Sequence, residues 1–412
     1  MTKPISLSTR SRRSFIAGIL SAGGSLSLAR PRAAGPRKIA AILYGYALRW
    51  HPDNIVTRLL EGYWINDTFH HPRCRIVSLY TRITPEIDLS RRLAEAYDFR
   101  LCPTIEEALT LGTGTTAVDG VIVVSESQGL IPFDDNPYRE FFGAIVDVFR
   151  RSGRAVPVFN DKQLSHSWEE SKWMVEQSRE LGFPLLAGST LPVTFRRPEV
   201  DFARGTRFDE VMVVSSLPGE HLQSYGYHGI ELLQAIAERR TGGETGVRAV
   251  TYLEGKEVLE AQSQGRWSRD LLEAALAHSL TRGGRPTDLL LAQAMAFLVE
   301  YRDGLRASVI LIPVIRDFNC AARVRGEAKI PSFLAYIPWE NSNNFSCLVY
   351  YAERFFETGR PDYPIERTLL ASGMLDFLMR SRAQGHRRIE TPQLDVSYQA
   401  PNRSPFCAGA GS

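Results

Sequence analysis

The sequence predicts an α/β protein in which an N-terminal, Rossmann-type doubly wound parallel sheet is followed by an α+β domain on a mostly antiparallel sheet. Three observations predict it. Continuous apolar runs recur at helix-sized intervals up to about residue 190, as strands covered on both faces require. Capping signals stand between these runs and mark helix starts. Beyond residue 190, strand-like runs follow one another with a tight-turn dipeptide between two of them, the pattern of hairpins.

The first residues form a leader, not a fold element. Arg12-Arg13 precede FIAGILSAGGSLSLA, a mildly apolar stretch too short and too rich in glycine to span a membrane. It reads as a twin-arginine export signal over 1–29, with Ser27 and Ala29 as a small-x-small cleavage site and a short tether over 30–36. A periplasmic protein delivered by the twin-arginine machinery is therefore expected. Removing Lys3, Arg10, Arg12 and Arg13 with the leader takes the formal charge from +3 to −1. That balance gives no reason to expect nucleic acid or an anionic membrane as partner. Five cysteines without a C-x-x-C pair indicate neither a disulfide framework nor a zinc knuckle. Export of an already folded chain fits a protein that does not depend on disulfides.

The first domain is placed at 37–190. KIAAILY from Lys38, RIVSLY from Arg75, a weak strand near Phe99, VDGVIVVS from Val118, AVPVF from Ala155 and LLAG from Leu185 are its strands. Thr104-Ile-Glu-Glu107 and Ser167-Trp-Glu-Glu170 are capping boxes, and Thr84-Pro85-Glu86 places proline in a first turn ahead of LSRRLAEAY. The second domain is placed at 191–400. Its strands are FDEVMVVSS, VRAVTYLEG, AMAFLVEYRDGLRASVILIP, folded at Asp303-Gly304, and DFNCAARVRG. YGYHGIELLQAIAERR is a helix, and IERTLLASGMLDFLMRSRAQG is another that ends near Gly385. Helices are expected on one face of this sheet, leaving the other free for a site or a partner. Residues 401–412 read as a disordered tail.

The order of elements resembles the Gfo/Idh/MocA family, the glucose-fructose oxidoreductase and inositol dehydrogenase type, over nearly all of the mature chain. VFNDKQLSHSWEESKWMVEQSRELGFPLLAG stands where that family has a strand ending in E-K-P, and Lys162 falls on its lysine. SYGYHGIELL stands where the family shows D-x-G-x-H-x-x-D: Gly226, His228 and Glu231 fit, and Ser224 replaces the aspartate. FFETGRPDYPIERTLLASGMLDFLMRSRAQGHRRIETPQL looks like its closing helices and the proline after them. The resemblance implies NADP or NAD as cofactor, a carbohydrate or polyol as substrate, and a homo-oligomer. It makes Lys162 and His228 the acid/base pair, one from each domain, with the near-neutral pKa of histidine suited to a hydroxyl proton. Cofactor contacts are assigned to Gly45, Ala47, Arg49, Arg82, Ser125 and Asp161.

Departures from the family qualify this. The first βα turn is Gly45-Tyr46-Ala47-Leu48-Arg49-Trp50, where G-x-G-x-x-G lets backbone approach a pyrophosphate. Arg49 offers it a charge instead. An acid at the end of the second strand is missing and Arg82 stands there, which favours NADP over NAD. Two other readings stay open: cleavage or epimerisation of a sugar with a tightly held NAD, or carbohydrate binding without catalysis on a decayed phosphate loop. His51, His70 and His71 do not form a metal set, and no metal is expected. YIPWENSNNFS, from Tyr336 to Ser346, has the aromatic and amide groups that suit a sugar. No G-x-S-x-G or P-loop sequence is present.

Overall fold

A computed structural model describes residues 35–217 and 221–409. The twin-arginine segment lies outside the described residues. Strands β1 (Arg37–Leu43), β2 (Cys74–Thr81), β3 (Arg100–Leu101), β4 (Gly120–Val124), β5 (Val158–Asp161) and β6 (Leu185–Gly188) form one sheet in the order 3-2-1-4-5-6. Every pair in it is parallel. This is the doubly wound order whose ligands lie beyond the carboxyl ends of the strands, where the order reverses between β1 and β4.

The central strands are apolar throughout because both of their faces are covered. Val121 and Val123 of β4 pack with Phe141, Phe142 and Ile145 of helix α3 (Tyr138–Ser152), which follows α1 (Ser90–Tyr97) and α2 (Ile105–Thr110). Ile122 and Val124 face the other way, onto Leu348, Ala352 and Phe355. Those residues belong to α6 (Asn344–Thr358), a helix from far along the chain that returns to cover the first sheet. The approach is close: a Cβ on Gly120 would lie 2.5 Å from the Phe356 ring.

Both capping hydroxyls act as expected. Thr104 Oγ1 accepts the Glu107 amide, and Ser167 Oγ accepts the Glu170 amide at the start of α4 (Trp168–Glu180). The reciprocal carboxylates do not return: Glu107 pairs with Arg100, and Glu170 accepts from Ser165 Oγ at 2.6 Å. The expected start at Pro85 is not used, and α1 begins at Ser90. Segment 82–89 is instead drawn out along the first βα loop, with Arg82 N on Leu43 O, Ile83 N on Tyr44 O and Leu89 N on Tyr46 O.

The second sheet contains β7 (Phe195–Arg197), β8 (Phe208–Ser216), β9 (Val247–Glu254), β10 (Met295–Tyr301), β11 (Arg306–Ile312), β12 (Phe318–Val324), β13 (Ser332–Tyr336) and β14 (Ile389–Glu390). Their order is 14-9-10-11-8-12-13-7, and only the central pair β8–β11 is parallel. Asp303-Gly304 makes the β10–β11 turn, with Gly304 at φ +92°. Helices α5 (Leu222–Ala237) and α7 (Ile365–Ala383) cover one face, as expected. The other face is not free. Met212, Val214, Ile310 and Ile312 are buried there under Trp267, Leu271 and Leu272, carried on and beside the short helices Lys256–Ser263 and Arg269–Leu276.

The last residues also depart from expectation. Cys407 N donates to Val193 O at 3.0 Å, the thiol is buried, and the Phe406 ring lies 4.2 Å from the Arg196 guanidinium. Between the sheets, Arg367 of α7 makes a bidentate pair with Glu238 at 2.8 and 2.5 Å, both side chains being at most 1% exposed. Among the described residues no helix is long and apolar enough to cross a membrane.

Candidate active site

Lys162 stands one residue past β5, at φ +62°, a backbone region that costs a side-chain-bearing residue of order 1–3 kcal/mol. Its neighbours impose that conformation. Asn160 Nδ2 donates to the carbonyls of Asp161 and Gln163, at 3.2 and 2.8 Å, and the Lys162 amide donates to Gly188 O at 3.1 Å. The turn directs a nearly fully buried side chain into the space between the sheets. There Nζ donates to Glu126 Oε2 at 3.0 Å and to Ser224 Oγ at 3.2 Å, while Ser224 Oγ donates to Glu126 Oε1 at 3.3 Å.

This three-group cluster resolves a difficulty left by the sequence. Ser224 carries no charge, but a carboxylate reaches the lysine from the loop after β4. Burial alone would raise the Glu126 carboxyl; the Lys162 ammonium and His51 outweigh it, so the net direction is down and the group is ionised. The lysine is thus a charge-compensated ammonium.

His228 lies on α5 one turn beyond Ser224, and both face the same pocket as Lys162 and Glu126, a cavity of about 250 Å³. The imidazole is edge-on to Phe318 and Tyr225, with centroids 6.0 and 6.1 Å away. Its Nδ1 is buried without a hydrogen-bond partner. Desolvation, followed by the nearby Lys162 and His51, holds its pKa well below the ordinary histidine value. The expectation of a near-neutral titrating group is therefore corrected: His228 is a neutral imidazole at physiological pH, able to accept a proton but poor at keeping it. Glu231, matched from the same motif, does not line the pocket. Its carboxylate takes the Ser189 amide and hydroxyl, and burial raises its pKa to about 7.

The remaining wall comes from the stretch singled out for sugar binding. Trp339, Ser342, Asn344 and Phe345 line the pocket, with Trp339 54% exposed at its edge. An open indole beside amide and hydroxyl groups suits stacking on a sugar ring.

Two residues that the sequence does not single out as catalytic also belong here. Glu126 lies in Ser125-Glu126-Ser127-Gln128, directly after an apolar strand, and a carboxylate at the end of the fourth strand of this topology is the available signal. His51 enters the sequence reading as a candidate metal ligand that is set aside. Its Nδ1 lies 2.7 Å from Asp161 Oδ2 and its ring stands edge-on to Phe345 at 4.8 Å. Asp161, assigned to the cofactor, holds this histidine. His70 and His71 are elsewhere, against Tyr63 and Phe69.

The other assigned cofactor residues are not arranged as a phosphate cradle. A Cβ on Gly45 would meet Ile83 Cγ1 at 3.0 Å and Trp50 Cζ3 at 3.1 Å, so those side chains occupy the approach that the glycine leaves open. Ala47 is fully buried in a bridge to Asp88. The helix that should present free amides opens with a π-helical turn, Asp53–Thr57. Asp53 Oδ2 accepts the Arg49 amide at 2.8 Å and its Oδ1 accepts Thr57 Oγ1 at 2.7 Å, which puts the chain's own anion where a phosphate would bind. Arg82 pairs with Glu140 at 2.5 Å. Ser125 alone keeps an unpartnered buried hydroxyl beside Glu126. As arranged, these residues do not form the open, amide-lined cradle of a G-x-G-x-x-G turn.

No protein-family model and no curated protein matches the sequence. Solved structures do match. GenD2 from gentamicin A biosynthesis, in complex with NAD, is 14% identical with a TM-score of 0.56, covering 90% of this chain and 99% of that one. The myo-inositol 2-dehydrogenase of Lactobacillus plantarum is 10% identical with a TM-score of 0.54, covering 86% and 99%. WlbA dehydrogenase of Bordetella pertussis, in complex with NADH and UDP-GlcNAcA, is 14% identical with a TM-score of 0.51, covering 88% and 99%. A Gfo/Idh/MocA family oxidoreductase of Vibrio cholerae matches at 13% identity and a TM-score of 0.51. The fold is that of the Gfo/Idh/MocA oxidoreductases.

Proposed function

We propose, on the premise of this oxidoreductase fold, that the protein acts on a carbohydrate or polyol whose reacting hydroxyl lies between Lys162 and His228. The observation that carries this is the buried Lys162 ammonium, balanced by Glu126 and opening on the pocket that His228 also lines. An ammonium so placed hydrogen-bonds the substrate oxygen and stabilises negative charge on it as the hydroxyl proton leaves. Its positive charge does not have to be created during the reaction. The neutral imidazole gives a second hydrogen-bonding contact that orients this hydroxyl. Glu126 and Ser224 fix the lysine's direction, and Trp339 and Asn344 suit the rest of a polyhydroxylated molecule.

NAD or NADP as hydride acceptor is part of this proposal. Its support is the fold, shared with proteins solved with NAD and NADH and with a putative NADPH-dependent oxidoreductase. A second reading has a specific observation in its favour. With Trp50, Ile83 and Asp53 filling the phosphate end, the same pocket binds its polyol or moves its protons without an exchanging dinucleotide. Mass spectrometry of small molecules released by denaturing the purified protein, with thermal shifts in NADP(H) and NAD(H), separates the two. A retained dinucleotide or a clear shift supports hydride transfer; neither, together with binding of a polyol, leaves the second reading. Loss of polyol binding or turnover in Lys162→Met at unchanged fold is expected in both, and its retention would refute the site.

Export to the periplasm belongs to the same proposal, supported by the sequence around Arg12-Arg13. Cell fractionation of the full chain and of an Arg12→Lys, Arg13→Lys variant tests it, with retention in the cytoplasm expected for the variant. Homo-oligomer formation is carried over from the resemblance, and light scattering of the mature chain tests it.

A further inference from the structure

We infer that His51 and Asp161 form a second proton-transfer dyad in the pocket, delivered by the very loop that in a dinucleotide-binding fold would cradle the pyrophosphate. The inference rests on the proposed hydroxyl-bearing substrate and goes beyond it in assigning a further catalytic group.

The geometry is that of an oriented general base. His51 Nδ1 lies 2.7 Å from a carboxylate oxygen of Asp161, whose side chain is 1% exposed. A buried carboxylate on one ring nitrogen fixes the tautomer: Nδ1 carries the proton, and Nε2, on the opposite ring edge, is left with its lone pair. The ring is 17% exposed and lines the pocket, so that edge is open to a ligand. Phe345 packs edge-on against it at 4.8 Å and limits rotation. Asp161 is itself held, since the strand-end turn that carries it is pinned through Asn160.

Local folding explains how the loop reaches this position. Instead of turning at Gly45, the chain runs on from β1 beside segment 82–89, and the Ala47–Asp88 bridge carries it outward. Arg49, at φ +65°, then reverses it, with its amide held by Asp53. His51 comes next, at the start of the helix, and is turned toward β5. Asp53 and His51 thus have complementary duties: one satisfies the loop's own amide, and the other carries an imidazole to the crevice.

The step is a proton transfer. The substrate O–H bond breaks, the proton forms a bond to Nε2 of His51, and the electron pair stays on the substrate oxygen. The resulting imidazolium is stabilised by the Asp161 carboxylate, and the oxygen's charge by Lys162. The groups around His51 are Asp161 on β5, Glu126 and Lys162 from the loops after β4 and β5, and His228 on α5. His228 is held neutral by burial and by the nearby Lys162 ammonium.

Two measurements on the mature full chain test this. With histidine labelled by nitrogen-15, proton NMR is expected to show a downfield, solvent-protected imidazole N–H that disappears in His51→Gln and in Asp161→Ala and persists in His386→Gln. A signal that survives both of the first two substitutions, or is absent from the wild type, overturns the dyad. Against the polyol that gives the highest turnover or exchange, His51→Gln is expected to lower kcat about 10²–10⁴-fold with KM little changed. Unchanged kcat in His51→Gln overturns the catalytic role. If Lys162→Met also leaves turnover intact, the fault lies in the pocket assignment; if only His51→Gln does, it lies in the dyad.

Discussion

Replacing Lys162 by methionine removes the cation and leaves Glu126 ionised in a nearly dry site, since the two side chains are 4% and 10% exposed. Solvent screening is therefore small, and breaking a buried pair by deleting one partner costs about 3–5 kcal/mol. The left-handed backbone at this position is the same in both proteins, so its strain cancels. Unfolding entropy of about 2.1 cal/mol/K per residue gives roughly 0.8 kcal/mol/K for a chain of this size, so Tm should fall by about 4–6 °C. Glu126→Gln should cost a similar amount by stranding the ammonium. The double variant Lys162→Met, Glu126→Gln should cost about 2–3 kcal/mol less than the sum of the two single losses, the coupling between the sites. Differential scanning calorimetry and urea unfolding of the four proteins measure this cycle. Additivity within about 0.5 kcal/mol would show that the ammonium and carboxylate do not depend on each other, and the charge-compensated lysine would have to be given up.

Glu231 supplies a pH prediction. Its folded pKa is raised to about 7 from an ordinary 4.5, so its contribution to stability is complete below about pH 4.5 and is lost as pH rises through 7. The wild type should lose about 3 kcal/mol from this group between pH 5 and 8 relative to Glu231→Gln; parallel stability curves for the two proteins would contradict it. Arg367→Met leaves Glu238 buried with the Tyr398 hydroxyl, at 2.8 Å, as its remaining side-chain hydrogen-bond donor among the described residues, and should cost about 3–5 kcal/mol by urea unfolding. Trp50→Ala with Asp53→Asn clears the phosphate end of the cleft, and calorimetry should find NADP(H) or NAD(H) bound at least about tenfold more tightly than by the wild type, or about 1.4 kcal/mol. Equal affinity would mean that these side chains are not what obstructs it.

Much of the scaffold is legible because it is written locally. Apolar runs such as VDGVIVVS mark strands with both faces covered, and Thr104 and Ser167 cap their helices through bonds only three residues long. Lys162 is legible because a strand end and a motif coincide there. The misread elements depend on what lies across space. Pro85 has the right residues for a helix start, but the amides of 82, 83 and 89 are taken by carbonyls of the first βα loop. The supposedly open face of the second sheet is closed by helices whose apolar stripes no strand-by-strand reading connects to Met212 or Ile310.

The chemistry of the pocket shows the same limit more sharply. Glu126 and Lys162 are 36 residues apart, and His51 and Asp161 are 110 apart. Such pairs leave no periodicity in the sequence; only the strand order 1-4-5 brings their loops together. His51 also hides behind an expectation, because a residue in the position of a phosphate loop is read for its backbone and not its side chain. Ser224 looks like a loss in the sequence, yet its hydroxyl bridges the lysine to a carboxylate on the loop after β4.

The most direct test is a crystal structure of the protein with the sugar or polyol that calorimetry finds to bind most tightly. The account predicts a ligand hydroxyl within about 2.6–3.2 Å of both Lys162 Nζ and an imidazole nitrogen, with the ring or chain of the ligand against Trp339. A ligand bound elsewhere, with Lys162 still turned only to Glu126 and Ser224, would contradict it.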